Sequence, residues 1–236
     1  MRRETEQAAA DTLRKLPGLG FGGVETAGTY GWSGTQWKEL LEETGLKVIG
    51  AHIGLGDLEE RLEEQLEWAR AVDCTRIVVP SLPGTLHNKP GFHEAAERLN
   101  ALAPKLQAAG IGLFYHNHAF EFSLLPDGGC GMEILLQDCD PALVRFEVDS
   151  YWVEKGGLDS RDFIVSNAEK IGLLHAKEID RQSGEETIVG QGDIEFEALC
   201  QLALKFDWPV VIEYEKEDAL AAIASGAAHL KPFLQA

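Results

Sequence analysis

Residues 114–122 read FYHNHAFEF. Two histidines, an asparagine and a glutamate stand among four aromatic residues. With the two residues ahead of it, the stretch GLFYHN (112–117) is apolar until its end. That is the pattern of a parallel strand covered on both faces and turning polar where the cover stops. A nuclease reading of HNH would instead require a ββα metal finger around these histidines, and the surroundings do not supply one.

The same pattern recurs on both sides. GGVETA (22–27), VIGAHI (48–53), RIVVPS (76–81), VRFEVD (144–149), IGLLHAKE (171–178) and VVIEYE (210–215) are further apolar runs, starting 26 to 39 residues apart. Such spacing fits a strand, a crossover helix and the next parallel strand. The intervening segments carry helical patterning. SGTQWKELLEETG (33–45) pairs Ser33 with Gln36 as a capping box and ends on Gly45. GDLEERLEEQLEWARAV (56–72) reads as one helix, with Asp57 and Glu60 repeating the device and Leu58, Leu62 and Leu66 on its inner face. Pro104 is expected to kink the helix before the fourth strand, and Asp193 to cap the helix of DIEFEALCQLALKFD (193–207).

Alternating strands and helices with no linker or low-complexity segment imply one domain over residues 1–236, built on a parallel sheet. The expected fold is a (β/α)₈ TIM barrel that lacks its first N-terminal strand, because seven strands are read and the chain starts with a helix over 4–15. A barrel short of one strand has two unpaired edges, which favours association into a homodimer.

The totals narrow the function. A formal net charge of −18 opposes binding to a phosphate backbone, so no nucleic-acid partner is expected. The four cysteines form no CxxC pair, and residues 1–16 lack the apolar core of a signal peptide. No apolar run reaches the roughly 20 residues that span a bilayer. A cytoplasmic protein with reduced thiols and no membrane association is expected. GQGDIEF (190–196) lacks the spacing of a dinucleotide fingerprint.

In parallel α/β folds, function gathers at the carboxyl ends of the strands. Those ends carry Glu25, His52, His116 with Asn117 and His118, Glu147 with Asp149, His175 with Lys177 and Glu178, and Glu213 with Glu215. Buried charges must be paired or bound to a cation. Imidazoles and carboxylates converging from several strands would make a mixed nitrogen–oxygen site for Mn²⁺, Co²⁺, Zn²⁺ or Mg²⁺. A network of ion pairs tying the barrel end together is the other outcome.

The motifs YHNHAFEF (115–122), FEVDSYWVEKGG (146–157), LLHAKEID (173–180), GQGDIEFEAL (190–199) and VVIEYE (210–215), in this order, resemble the sugar phosphate isomerase/epimerase superfamily of xylose isomerase-like TIM barrels. The resemblance implies a divalent metal held by two glutamates, an aspartate and a histidine. Asp149, His175 and Glu213 match three of these positions. For the fourth, either Glu121 curls back to the metal or His118 replaces it, and Glu121 is the residue chosen here. The implied activity is isomerisation or epimerisation of a sugar or keto-sugar through an enediolate. A lyase of the inosose dehydratase type, or a catalytically impaired barrel that binds sugar or metal, are the alternatives. Glu213 and Glu121 are the expected proton carriers, with His116 or His52 as an unbound base; Lys177 either meets the developing alkoxide or neutralises Glu147 or Glu215. His52, His118, Trp152 and Glu215 are expected to contact the carbohydrate.

Overall fold

The computed structural model describes residues 2–235. Seven parallel strands form one sheet in sequence order: β1 (Gly23–Ala27), β2 (Lys47–His52), β3 (Arg76–Val79), β4 (Gly112–His116), β5 (Val144–Asp149), β6 (Ile171–Ala176) and, after a two-stranded excursion, β9 (Val210–Ile212). The excursion is an antiparallel hairpin of β7 (Glu178–Asp180) and β8 (Glu185–Thr187). It was not expected from the sequence: residues 171–178 read as one strand, but the ladder ends at Ala176 and Lys177 separates β6 from β7.

Helices cover the outside of the sheet: α1 (Arg2–Lys15), α2 (Gly34–Thr44), α3 (Leu55–Glu60), α4 (Leu62–Ala71), α5 (Lys89–Ala108), α6 (Gly131–Asp138), α7 (Ser150–Lys155), α8 (Ser160–Asn167), α9 (Phe196–Phe206) and α10 (Ala219–Leu234). The capping box of α2 forms as expected, with Ser33 accepting from Gln36 N and the helix ending in a left-handed Gly45. Residues 56–72 do not make one helix. The backbone breaks at Arg61 (φ −132°, ψ 36°), and Asp57 lies inside α3, whose cap is Gly54. α5 runs unbroken through Pro104. α9 begins at Phe196, because the Asp193 carboxylate is engaged elsewhere, accepting from Arg181 N at 2.7 Å.

The main core lies between strands and helices, around residues such as Trp37, Leu58, Phe92, Leu99, Phe146 and Phe196. A second cluster fills the barrel interior. Val78, Phe114 and Leu173 pack there with Ile49 and Val211, one residue from each of five strands. This apolar plug is the floor on which the polar strand ends stand, as layered side chains fill small barrels.

Seven strands curl far enough to bring β1 close to β6 and β9: Glu25 Oε2 lies 2.7 Å from His175 Nε2. Among the described residues β1 and β9 do not pair with each other. A groove of about 830 Å³ separates them, lined by Phe21, Val24, Val210, Ile212, Ile223 and Leu230 among others. The barrel is therefore nearly closed and one strand short, as the sequence led us to expect.

Candidate metal centre and barrel mouth

Strand alternation builds the site. Residues two apart share a face, so β5 aims Glu147 and Asp149 inward, and β6 does the same with Leu173 and His175. Register irregularities at Val24/Glu25 and Phe146/Glu147 sit immediately before two of the acids. Bulges of this kind re-aim side chains beside functional sites.

Asp149, His175 and Glu213 come together, each offering a ligand atom within 4.8 Å of the others. His175 Nδ1 is 3.1 Å from Glu213 Oε2 and 3.7 Å from Asp149 Oδ2. Asp149 Oδ1 caps α7 by accepting from Trp152 N at 3.0 Å, while its buried Oδ2 has no hydrogen-bond partner. An unpartnered carboxylate oxygen in a dry place is costly unless a cation meets it. Two carboxylates and one imidazole are an ordinary donor set for a divalent ion. The residues present therefore fit the metal that the sequence resemblance implies.

A deeper layer lies against the other edge of the His175 ring. Its Nε2 is 2.7 Å from Glu25 and 3.3 Å from Glu147. His52 Nε2 is 2.9 Å from both Glu25 and Glu147, and His116 Nδ1 is 2.9 Å from Glu147. Burial disfavours a charged imidazole at His52, but the adjoining Glu25 and Glu147 outweigh it and push the ring up to about 10. Glu147 is fully buried, which opposes its charge, yet His175, His116 and His52 hold it well below the usual carboxylate range.

Lys177 is also buried. Burial alone would lower its basicity, but Glu213, Asp149 and Glu215 keep the ammonium above its ordinary value. Its Nζ lies 2.8 Å from Glu215 and 3.9 Å from Glu213, over the rings of Trp152 (5.2 Å) and Tyr151 (5.5 Å). His118 faces Trp152 with ring centres 5.1 Å apart. Burial and the neighbouring His116 hold His118 down to about 3, so its imidazole is neutral. These groups open on a cavity of about 480 Å³ at the barrel mouth, lined by His52, His116, His118, Trp152, Lys177, Glu213 and Glu215.

Glu121 is not brought to this place. Its two oxygens accept from Tyr115 Oη (2.6 Å) and His118 N (2.9 Å), and burial pushes the carboxyl up to about 8. The expected fourth ligand is instead a buried brace for the turn after β4. His118 does not join the ligand group either. His116 and His52, expected as a base and a sugar contact, are drawn toward Glu147. Glu147 and Glu25 were not chosen from the sequence. The i, i+2 pairing of Glu147 with Asp149 was a usable signal for the first; for Glu25 nothing local distinguished it from an edge-strand acid.

Parallel strands whose carboxyl ends converge on carboxylates and imidazoles define the class, a TIM barrel with a polar cluster at its mouth. Within it, residues 13–233 match the model of the xylose isomerase-like TIM barrel family, and the chain belongs to that family. An inosose dehydratase of Geobacillus kaustophilus (strain HTA426) is 21% identical, over 89% of this chain and 80% of that protein. The crystal structure of a sugar phosphate isomerase/epimerase from Parabacteroides distasonis ATCC 8503 superposes with a TM-score of 0.84, at 22% identity over 98% of this chain and 93% of that one. A xylose isomerase-like TIM barrel protein from Mycobacterium smegmatis, in complex with magnesium, superposes with a TM-score of 0.70, at 16% identity over 97% and 89%. Among the described residues, no helix is long and apolar enough to cross a membrane.

Proposed function

We propose that the protein is a divalent-metal-dependent isomerase or epimerase of a keto-sugar or related polyol, working at the mouth cavity. The observation that carries this reading is the unpartnered, buried Asp149 Oδ2 beside His175 and Glu213. Asp149, His175 and Glu213 would hold the ion, which supplies Lewis-acid polarisation of a carbonyl when bound.

The chain's own groups do the rest. Glu213, partly open to the cavity, takes the proton from the carbon next to the carbonyl and delivers it to the former carbonyl carbon for isomerisation; epimerisation needs a second group to return it on the opposite face, and His116 lines the same cavity. Lys177 faces the oxygen on which negative charge develops, and a buried, fixed cation is worth more there than in water. The intermediate on the substrate is an enediolate. Trp152 and neutral His118 form the wall against which the C–H face of a sugar packs. Lys177 is the one lysine or arginine lining the mouth among the described residues, and it is already paired with Glu215, while the charged ring of His52 is engaged by Glu25 and Glu147. That favours an uncharged substrate over a phosphorylated one.

A second reading is favoured by the match to an inosose dehydratase over 89% of the chain. Enolate formation at the same site followed by loss of a β-hydroxyl would give a dehydratase. Incubation in D₂O with Mn²⁺, Co²⁺ or Mg²⁺ and a panel of keto-sugars and keto-inositols separates the two. An isomerase or epimerase returns product of unchanged formula carrying solvent deuterium at the carbon beside the carbonyl. A dehydratase returns product lighter by one water. Absence of both conversion and deuterium exchange across the panel would overturn the enzymatic reading.

A further inference from the structure

Beside the mouth, a second cavity of about 550 Å³ lies between the loop after β1 and helix α4. Gly28 and His52 line both cavities, so the two join there. Arg61, at the start of α4, and Gln65 and Trp68 within it are spaced by four and three residues, which sets them on one helix face. All three line the second cavity. Gln65 is only 9% exposed, yet no hydrogen bond from a described residue meets its side-chain amide. The buried Trp68 Nε1–H likewise has no acceptor. Buried polar groups are nearly always satisfied, and an unmet one is costly. Trp32 completes the wall. Its ring centre is 5.5 Å from that of Trp37, which in turn meets Trp68 edge-on at 6.1 Å, so the aromatic surface is held by packing.

We infer that this second cavity is a subsite for a neutral glycosyl ring, and that the substrate is a keto-sugar carrying a second sugar. The inference rests on the proposed reaction in the mouth. Hydroxyl groups both donate and accept, which suits an amide with both functions and an indole with a donor alone. The face of Trp32 suits the C–H side of a ring. The mouth cavity and this one, at about 480 and 550 Å³, each have the size of a small-molecule site, roughly 300–1,000 Å³. Charge selects against an anionic ring. Arg61 is the one arginine or lysine lining this cavity among the described residues, and it lies 2.5 Å from Asp57 and 3.8 Å from Glu64. The charged His52 ring is engaged by Glu25 and Glu147. At the junction, Gly28 has φ 83°, and a Cβ there would meet no atom within 4 Å, so the passage is bordered by bare backbone. Binding of a remote second ring can be spent on orienting the reacting one, so a two-ring substrate should react faster than its one-ring counterpart.

The test compares one-ring and two-ring ligands with Mg²⁺ present. Calorimetry with methyl glucoside and with neutral disaccharides of several linkages (maltose, cellobiose, sucrose) reads the subsite without turnover. Keto derivatives of the same compounds read it through kcat/KM. At least one disaccharide is expected to bind about tenfold or more tighter than methyl glucoside, the gain that one or two well-made hydrogen bonds supply. The same disaccharide with a uronate as its outer ring should show no such gain. Gln65→Leu and Trp32→Ala should each bring the two-ring to one-ring ratio close to 1, with circular dichroism confirming that each variant is folded. Gln65→Leu should not lower Tm, because leucine fills similar room and an unmet buried amide is removed. A fall in Tm with an unchanged ratio would make Gln65 a structural residue and overturn the subsite. No two-ring gain with any disaccharide, in binding or in turnover, also overturns it, and conversion of a one-ring ketone would then leave the proposed reaction standing. A two-ring gain in binding that both variants abolish, with no ketone converted, supports the subsite and overturns the reaction instead.

Discussion

Glu121 shows what one residue's surroundings decide. Three positions past His118, it is close enough in sequence to be a ligand, but the direction of a loop carboxylate is set by which donors the fold leaves free. Here those donors are Tyr115 Oη and His118 N. Replacing Glu121 by alanine strands both, which costs about 1–3 kcal/mol each for buried donors. The expected result is a clear fall in Tm with unchanged metal content. The pH dependence has a definite sign. Burial raises the Glu121 carboxyl from its ordinary 4.5 to about 8, so between these values the folded state holds more protons than the unfolded one. Its contribution is fully present below pH 4.5 and is lost as pH rises through about 8. Thermal melts across pH 5–9 should show that decline in the wild type and a flatter profile in Glu121→Gln. In the proposed reaction Lys177 belongs to the chemistry instead. Lys177→Met should reduce kcat by about 10²-fold or more, as removal of a fixed charge-stabilising donor does, with a smaller change in KM. The convergence of Asp149, His175 and Glu213 was legible because strand alternation and the motif order both pointed at one barrel end. Glu121 was misplaced because nothing in a loop sequence states which way it turns.

At the scale of elements, the long apolar strands and the α2 capping box were readable, since each carries its own local signal. The hairpin of β7 and β8 was not: strands of three residues are too short to show a period, and β6 runs into β7 with a single residue between. What organises that region is Glu178. Its buried carboxylate accepts from Ile179 N and Ile194 N at 3.0 Å and from Gly190 N at 3.2 Å, tying the segment after β8 to the hairpin's first strand. Burial pushes the Glu178 carboxyl up, and the backbone N–H groups pull against that shift. Glu178→Ala leaves those amides without their acceptor. Hydrogen exchange at residues 188–195 should accelerate, while β3, β4 and β5 keep wild-type protection. A uniform loss of protection across the barrel would show that Glu178 supports the whole fold and not this segment.

The whole molecule concentrates negative charge around one place. The chain carries −18 overall, and five carboxylates, Glu25, Glu147, Asp149, Glu213 and Glu215, stand at one end of the barrel. Seven strands and their order were visible in the sequence. Near closure followed from the barrel reading, but that it carries Glu25 across to His175 was not visible, because the curvature that sets this contact is a property of the assembled sheet. That closure gathers the acids at the mouth, and under the proposed function stability depends on the ion held there. A ligand that binds only the folded state at 100 times its Kd adds about 2.7 kcal/mol. For a chain of this length that corresponds to a Tm rise of roughly 5–10 °C. Added Mg²⁺ should produce such a rise, and EDTA should reverse it. Screening of a −18 surface by any salt would also raise Tm, so the comparison is with NaCl at the same ionic strength. Asp149→Asn isolates the site from the fold: asparagine still caps α7 as aspartate does, but the charge is gone. Its melting point without metal should stay near the wild type, and the Mg²⁺-dependent rise should disappear. An undiminished rise in Asp149→Asn would place the ion away from the Asp149, His175 and Glu213 group.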